Sequence, residues 1–152
     1  RKAAESKADR LREETLERYR TNAKLEARKE ALADKRAVME EAFDLAETRL
    51  ESMAGAERAR VLTGLLLREC QGGETILPAP KDAEGMESLL RAVNENFAAD
   101  GRAALNQGPV EPGIAGGFLV RAQGYEKNCS FAALMKELRE TRQTEVADIL
   151  FS

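Results

Sequence analysis

The first 54 residues of this chain contain neither glycine nor proline, although the whole sequence of 152 residues has eleven glycines and four prolines. Glycine and proline interrupt helices, so a stretch of this length without either predicts one continuous helix. The stretch is rich in Ala, Glu, Arg, Lys and Leu, which lose little side-chain entropy in a helix. At about 1.5 Å per residue the helix would be roughly 80 Å long, far longer than a small domain can cover.

Charge in the predicted helix is dense but balanced. It carries 13 basic and 13 acidic residues, so the net charge of −3 lies in residues 55–152. Pairs such as Glu14 with Arg18 and Glu26 with Lys29 sit at helical-neighbour spacing and stabilise the helix. Balanced charge gives no reason to expect nucleic acid as a partner, and no apolar run approaches the ~20 residues that would insert into a membrane.

Apolar positions along the helix indicate a pairing surface. One series, which we call the pairing stripe, advances mostly in steps of four and three, with Lys35 and Arg49 interrupting it. The mean step of about 3.67 residues favours a right-handed or nearly straight supercoil. The stripe consists of Tyr19, Ala23, Ala27, Ala31, Val38, Ala42, Ala46 and Met53.

A second series keeps a strict seven-residue step, as left-handed coiled coils do. This heptad series consists of Leu25, Leu32, Met39, Ala46 and Met53. Either series is narrow, so a lone helix would bury little apolar surface, and a partner helix is the simplest prediction. The alternative is a single solvated helix held by its charge pairs.

Residues 55–152 change character and predict a small α+β domain, in which a short sheet is packed by helices. A strongly apolar helix is expected over residues 56–71, ended by Gly72-Gly73. A strand at Thr75-Ile76-Leu77 follows, then an amphipathic helix over residues 86–97. A second short strand is expected at residues 103–105.

The domain is expected to close with a hairpin and helices. Residues 117–122 form the clearest strand, and Gly124 predicts a hairpin turn into residues 125–128. Ser130 is placed to cap the next helix. A last apolar cluster predicts a helical turn docked on the domain, and it contains Val146, Ile149, Leu150 and Phe151.

A search for chemistry finds little. Histidine is absent, which removes the usual general base and most nucleophile and zinc arrangements. Cys70 and Cys129 are expected to be buried thiols in a reducing compartment. Gly116-Gly117 is interpreted as a tight turn, and the acidic cluster around Asp82 as a helix cap. We therefore expect no catalytic, cofactor-binding or metal site.

The C-terminal third carries motifs that match a known family. They are Gly116-Gly117-Phe118-Leu119-Val120-Arg121, then Asn128-Cys129-Ser130-Phe131, and finally residues 145–151 with the ending Ile149-Leu150-Phe151. In this order they resemble the E subunit of vacuolar-type and archaeal-type rotary ATPases. The layout of a long charged helix before an α/β domain is similar too. Where relatives have a Gly-x-Ile/Val hairpin, this chain has Gly124-Tyr125-Glu126-Lys127.

The resemblance implies a mechanical role without catalysis. In that family the E helix pairs with the G subunit, called H in archaea, to form a right-handed peripheral stalk. The C-terminal domain binds the catalytic head near the B subunit, and the far end of the stalk reaches the membrane-sector collar. The resemblance thus implies a cytoplasmic stator subunit, peripheral to the membrane, with residues 1–54 as a stalk helix truncated at its N-terminus and residues 55–152 as the head-binding domain.

Two other functions remain as alternatives. A stator-like regulator of a flagellar or type III secretion export ATPase has a similar layout, but its helix usually carries glycine-rich repeats that are absent here. A small enzyme or ligand-binding domain with a helical extension is the third possibility. The lack of histidine and of a recognisable catalytic motif counts against it.

Overall fold

The computed structural model describes residues 2–151, and it has the predicted α+β architecture. Helix α1 runs from Lys2 to Ser52 without interruption, which confirms the long N-terminal helix. The chain divides into two compact units, and the division falls within α1, between Glu41 and Ala42. The last turns of α1 therefore belong to the C-terminal unit.

The N-terminal unit is the part of α1 up to Glu41. Almost all of its side chains from Lys2 onward are exposed. Arg20 lies 3.5 Å from Glu17 and Lys29 lies 3.6 Å from Glu26, in pairs three residues apart. Exposed pairs of this kind contribute less than about 1 kcal/mol, so the unit depends mainly on helix propensity.

The C-terminal unit continues from the end of α1 through nine further elements. Its helices are α2 (Gly55–Glu69), α3 (Ala83–Ala99), α4 (Phe131–Thr141) and α5 (Gln143–Phe151). Its strands are β1 (Thr75–Pro78), β2 (Asn106–Gln107), β3 (Gly117–Ala122) and β4 (Tyr125–Ser130). A short 3₁₀ turn, Pro80–Asp82, leads into α3.

The four strands form one mixed sheet in the order β2-β1-β3-β4. Strand β1 pairs in parallel with β2, matching Thr75 with Asn106, and antiparallel with β3. Strands β3 and β4 form the predicted hairpin, in which Ala122 is opposite Tyr125. Gly124 has a φ of +92° in the two-residue turn, a conformation that glycine adopts readily.

The hydrophobic core lies between one face of the sheet and the helices. Helix α2 buries Leu62, Leu65 and Leu66, as its run of leucines predicts. Helix α3 buries every third or fourth residue, the period of an amphipathic helix. The core side chains that the sheet and helices α3 and α4 contribute include Ile76, Phe118, Val120, Met86, Leu90, Val93, Phe97 and Phe131.

Two local predictions are confirmed, one at the start of α4 and one at the start of β3. Ser130 is the N-cap residue, and its hydroxyl oxygen accepts a hydrogen bond from the backbone N–H of Ala133 at 3.2 Å. Gly117 has a φ of +93°, and a Cβ there would lie 2.6 Å from the carbonyl oxygen of Cys129. The glycine pair is thus a tight turn into β3, because no side chain fits at Gly117.

Three local predictions are wrong. The short strand lies at Asn106–Gln107 instead of residues 103–105, because Leu105 is hydrogen-bonded to the side chain of Asn94 and pairing with β1 begins at the next residue. Asp82 does not cap α3 with its side chain but forms a buried ion pair with Arg58. The cluster in α5 is not buried on the domain, since no residue of this helix is buried in the described chain.

Candidate functional site

The pairing stripe is largely exposed on α1. Tyr19, Ala23, Ala27, Ala31 and Val38 all lie on the surface of the N-terminal unit, and Tyr19 is 70% exposed. In the C-terminal unit Ala46 is exposed and Ala42 is half-buried. Large or small apolar side chains left in water along one helix line are available to pack against another helix.

Met53 is placed differently from the rest of the stripe. It is only 4% exposed in the chain by itself. It follows the last residue of α1, and its backbone N–H donates to the carbonyl oxygen of Arg49 at 3.1 Å. A side chain already buried in its own domain has no surface to offer a partner, so Met53 does not belong to the exposed part of the stripe.

The heptad series is exposed at Leu25, Leu32 and Ala46 but buried at Met39 and Met53. Leu25 and Leu32 are 47% and 51% exposed, whereas Met39 is 5% exposed in the chain by itself. Leu25 and Ala27 are two residues apart and therefore point about 200° apart around the helix. A partner helix along the pairing stripe would leave Leu25 and Leu32 exposed. A partner helix along the heptad series would in turn leave Ala27 exposed.

The C-terminal unit carries an apolar groove beside the end of α1. It has a volume of about 600 Å³ and lies among α1, α2 and α4. Charged side chains of both signs also line it, namely Arg68, Glu69, Glu137 and Arg142. Its apolar lining comes from Leu50, Val61, Leu65, Phe131, Leu134, Met135 and Leu138.

Arg139 of α4 fastens the last part of α1 within the C-terminal unit. Its guanidinium contacts the carboxylate of Asp44 and lies 3.6 Å from that of Glu47. The same group lies 5.7 Å from the ring centre of the buried Phe43, within cation–π range. Sequence reasoning missed these contacts, because no local pattern relates two residues that are 95 positions apart.

The two cysteines are free and buried, as predicted. Burial raises the pKa of Cys70 to about 12 and that of Cys129 to about 11. Thiolates, not thiols, are the nucleophiles and metal ligands, so both groups are unreactive near neutral pH. They act as small apolar core residues at the ends of α2 and β4.

Neither metal binding nor membrane insertion is indicated. Among residues 2–151, no cluster of three or more His, Cys, Asp or Glu side chains is placed to hold an ion. None of the helices within the same range is both long and apolar enough to cross a bilayer.

Comparison with known proteins agrees with this arrangement. The family described as ATP synthase (E/31 kDa) subunit matches residues 1–151. The E subunit of the V-type proton ATPase of Clostridium botulinum strain 657 is 32% identical over 139 residues, which is 90% of this chain and 70% of that protein.

Two further relatives are E subunits as well. The E subunit of the V-type ATP synthase of C. botulinum strain Hall is 31% identical over 152 residues, covering 98% of this chain and 72% of that protein. The E subunit of the V-type proton ATPase of Thermoanaerobacter pseudethanolicus is 35% identical over 126 residues, which is 81% of this chain and 63% of that protein. The match includes the long helix as well as the domain, and the chain therefore belongs to the family of E subunits of V-type ATP synthases.

Proposed function

We propose that this chain is a non-catalytic stator subunit of a V-type ATPase, in which α1 pairs with the helix of the G subunit, or of its archaeal counterpart H, to form the peripheral stalk. The C-terminal domain would bind the catalytic head near the B subunit. The other end of the stalk would reach the membrane-sector collar, with the whole stalk cytoplasmic and peripheral to the membrane. Family membership favours this role over the export-ATPase regulator with the same layout.

The observation that carries the proposal is the exposure of the pairing stripe on a 51-residue helix. A helix of this length with few tertiary contacts of its own gains stability when a second helix covers its apolar residues. Tyr19, Ala27 and Val38 stay in water in the chain alone. The small alanines between them would allow a second helix to approach closely.

Exposure also separates the two possible pairing lines. Met53 belongs to both series and is buried, but the heptad series also loses Met39, whereas the other members of the pairing stripe, from Tyr19 to Ala46, stay exposed or half-buried. A partner helix therefore meets more exposed apolar residues along the stripe than along the heptad series. This supports the stripe's mean step of about 3.67 residues and a right-handed or nearly straight supercoil.

The absence of an evident catalytic centre supports a mechanical role. Both thiols are neutral near pH 7, and the described residues include no histidine and no metal-binding cluster. A stator needs no catalytic groups. It needs a stiff connection between the head and the membrane sector and a binding surface at each end. The groove beside the end of α1 and the exposed apolar face of α5 are candidate surfaces in the domain.

A reconstitution experiment tests the proposal. The ATPase of the source organism is assembled in vesicles with and without this chain, and ATP hydrolysis and ion pumping are measured on the same sample. Without the stator, the head is expected to hydrolyse ATP while pumping is lost, since the head turns with the rotor. Pumping at the normal ratio to hydrolysis without this chain would contradict the proposal, as would ATP hydrolysis by the purified chain alone.

A further inference from the structure

The end of α1 is joined to α2 by a short link that offers little stiffness of its own. Helix α1 ends at Ser52 and α2 begins at Gly55, so only Met53 and Ala54 lie between them. Gly55 has a φ of +60°, and a Cβ built there would meet nothing within 4 Å. A two-residue link followed by a glycine at positive φ can bend unless other contacts hold it.

Arg58 provides such contacts by binding the carbonyl end of α1. Its Nη1 donates to the carbonyl oxygens of Leu50, Glu51 and Met53 at 3.4, 3.3 and 3.1 Å. These carbonyls are at the helix C-terminus, where intrahelical donors run out and the helix dipole is negative. Lys81 adds a second cation there, donating from Nζ to the carbonyl oxygen of Glu51 at 2.8 Å.

The other edge of the same guanidinium is fixed in the domain. Nε and Nη2 of Arg58 donate to the two carboxylate oxygens of Asp82, with Nη2 at 2.8 Å from Oδ2. The side chains are 9% and 2% exposed, so water does not compete for these bonds. Asp82 Oδ2 also accepts a hydrogen bond from the backbone N–H of Gly117 at 2.8 Å, which ties the pair to the start of β3.

The guanidinium is also closely packed by an aromatic ring and a glycine backbone. It lies 5.1 Å from the ring centre of Phe131, the first residue of α4. A Cβ on Gly116 would lie 3.0 Å from Arg58 Nη2 and 2.9 Å from the Phe131 ring. Thus one planar side chain contacts α1, the 3₁₀ turn and α4, with all three of its nitrogens engaged.

A buried ion pair adds little net stability compared with apolar side chains of the same size, because both charges lose their hydration. This ion pair instead fixes the orientation of the Arg58 side chain, because the planar guanidinium binds both carboxylate oxygens in one geometry. We propose that Arg58 is a positioning residue that locks the C-terminal end of α1 to the domain, so that load on the stalk helix passes into the domain and does not bend the link. The inference deepens the proposed stator function and rests on it for the source of the load.

The test compares two Arg→Lys variants at the same link. Arg58→Lys keeps the charge but cannot hold both carboxylate oxygens and the carbonyls of α1 together. The matched control is Arg49→Lys, because Arg49 bridges the same link to Glu57 at 2.7 Å in an exposed pair. Exposed pairs contribute little, so the control is expected to behave as the parent chain does.

The readout is the spread of distances between spin labels on the full chain, at Leu45→Cys in the last part of α1 and Glu95→Cys in α3. Both native residues are exposed, and the buried native thiols do not compete for the label. The parent chain and Arg49→Lys are expected to give one narrow distance, and Arg58→Lys a broad distribution. Equal widths in all three chains would overturn the proposal, and so would a domain that unfolds in Arg58→Lys, since Arg58 would then be a core residue.

Hydrogen exchange gives a second measurement at the link. The Met53 amide, which donates to the carbonyl oxygen of Arg49, is expected to exchange about ten- to a hundredfold faster in Arg58→Lys, since charged hydrogen bonds are lost. An unchanged rate would count against the lock. Both measurements use the chain without a partner. If the chain fails to pair with the G or H subunit, the stator function alone is refuted. If it pairs normally but the spin-label distance distribution of Arg58→Lys is as narrow as that of the parent chain, this inference alone is refuted.

Discussion

Asn94 of α3 holds the backbone of Leu105 through both the oxygen and the nitrogen of its amide. Its Nδ2 donates to the carbonyl oxygen of Leu105 at 3.1 Å, and the N–H of Leu105 donates to its Oδ1 at 2.7 Å. These bonds keep the buried Leu105 in the core, and the N–H of Asn106 then donates to the carbonyl oxygen of Glu74 at 2.9 Å. The side chain of a helix residue thus determines where the short strand β2 begins.

Replacing this amide tests its contribution to stability. Asn94→Ala is expected to lower the free energy of unfolding by about 2 kcal/mol, because the N–H and C=O of Leu105 lose their partners in a half-buried site. Urea denaturation measures the change. The matched control is Asn96→Ala, whose amide makes an exposed 3.5 Å contact to Ala92, and which should change stability by less than about 0.5 kcal/mol. Equal effects of the two would contradict the account.

The tight turn before β3 predicts a difference between two glycines. Gly117→Ala is expected to cost about 3 kcal/mol, because φ is +93° and the new Cβ would lie 2.6 Å from the carbonyl oxygen of Cys129. Gly124→Ala has a similar φ of +92° but open space around it, so it should cost only about 1 to 2 kcal/mol. Thermal unfolding of both variants separates the steric clash from backbone strain, and a larger loss for Gly124→Ala would refute this explanation.

The buried thiols predict a loss of stability at high pH. Burial raises the pKa of Cys70 from 9.0 to about 12 and that of Cys129 from 9.0 to about 11. Above pH 9 the unfolded chain releases these protons and the folded chain keeps them, so the free energy of unfolding should fall as pH rises. The fall should be at least about 1 kcal/mol between pH 9 and 10.

The matched variant is the double substitution Cys70→Ala with Cys129→Ala. It removes two core sulfur atoms and so shifts the whole stability curve, but its decline above pH 9 should be shallower than that of the parent chain. Parallel curves would show that these thiols titrate as they do in water. Iodoacetamide at pH 8 should likewise modify neither cysteine in the native chain and both in urea.

Much of this fold follows from local sequence patterns. The absence of glycine and proline predicted α1, the spacing of Met86, Leu90 and Val93 predicted α3, and Gly124 predicted the hairpin. These elements depend on residues close together in sequence, so that period and turn chemistry suffice.

The errors share a physical cause, which is contact between distant residues. Asp82 looked like a helix cap because it precedes α3, yet its partner Arg58 is 24 positions away. Residues 103–105 have the composition of a strand, but the backbone N–H of Leu105 donates to Asn94, a residue of α3, and does not pair with β1. The apolar end of α5 predicted burial, but apolar residues can be buried either by the same chain or by another protein, and the sequence does not distinguish the two. The same ambiguity applied to Met53, which the helical period placed on the stripe and the domain buries.

The choice between the two pairing lines leads to a comparison of three variants. Ala31→Glu places a charge on the pairing stripe, and it should weaken binding of the partner helix at least tenfold, a cost above about 1.4 kcal/mol. Ala33→Glu makes the same exchange at an exposed residue about 200° around the helix from Ala31, and should leave affinity unchanged. Leu32→Glu probes the heptad series. If Leu32→Glu weakens binding more than Ala31→Glu does, the pairing line is the left-handed one.

The most direct test of the central claim is the mass of the species that this chain forms with its proposed partner. The chain is co-expressed with the G subunit of the same organism's ATPase, or with its archaeal counterpart H. The purified material is examined by sedimentation equilibrium, and circular dichroism is measured on the same sample. We predict a mass equal to one copy of each chain, with more helix than the sum of the separate proteins. A mass equal to this chain alone, with unchanged helix content in the mixture, would contradict the stalk assignment.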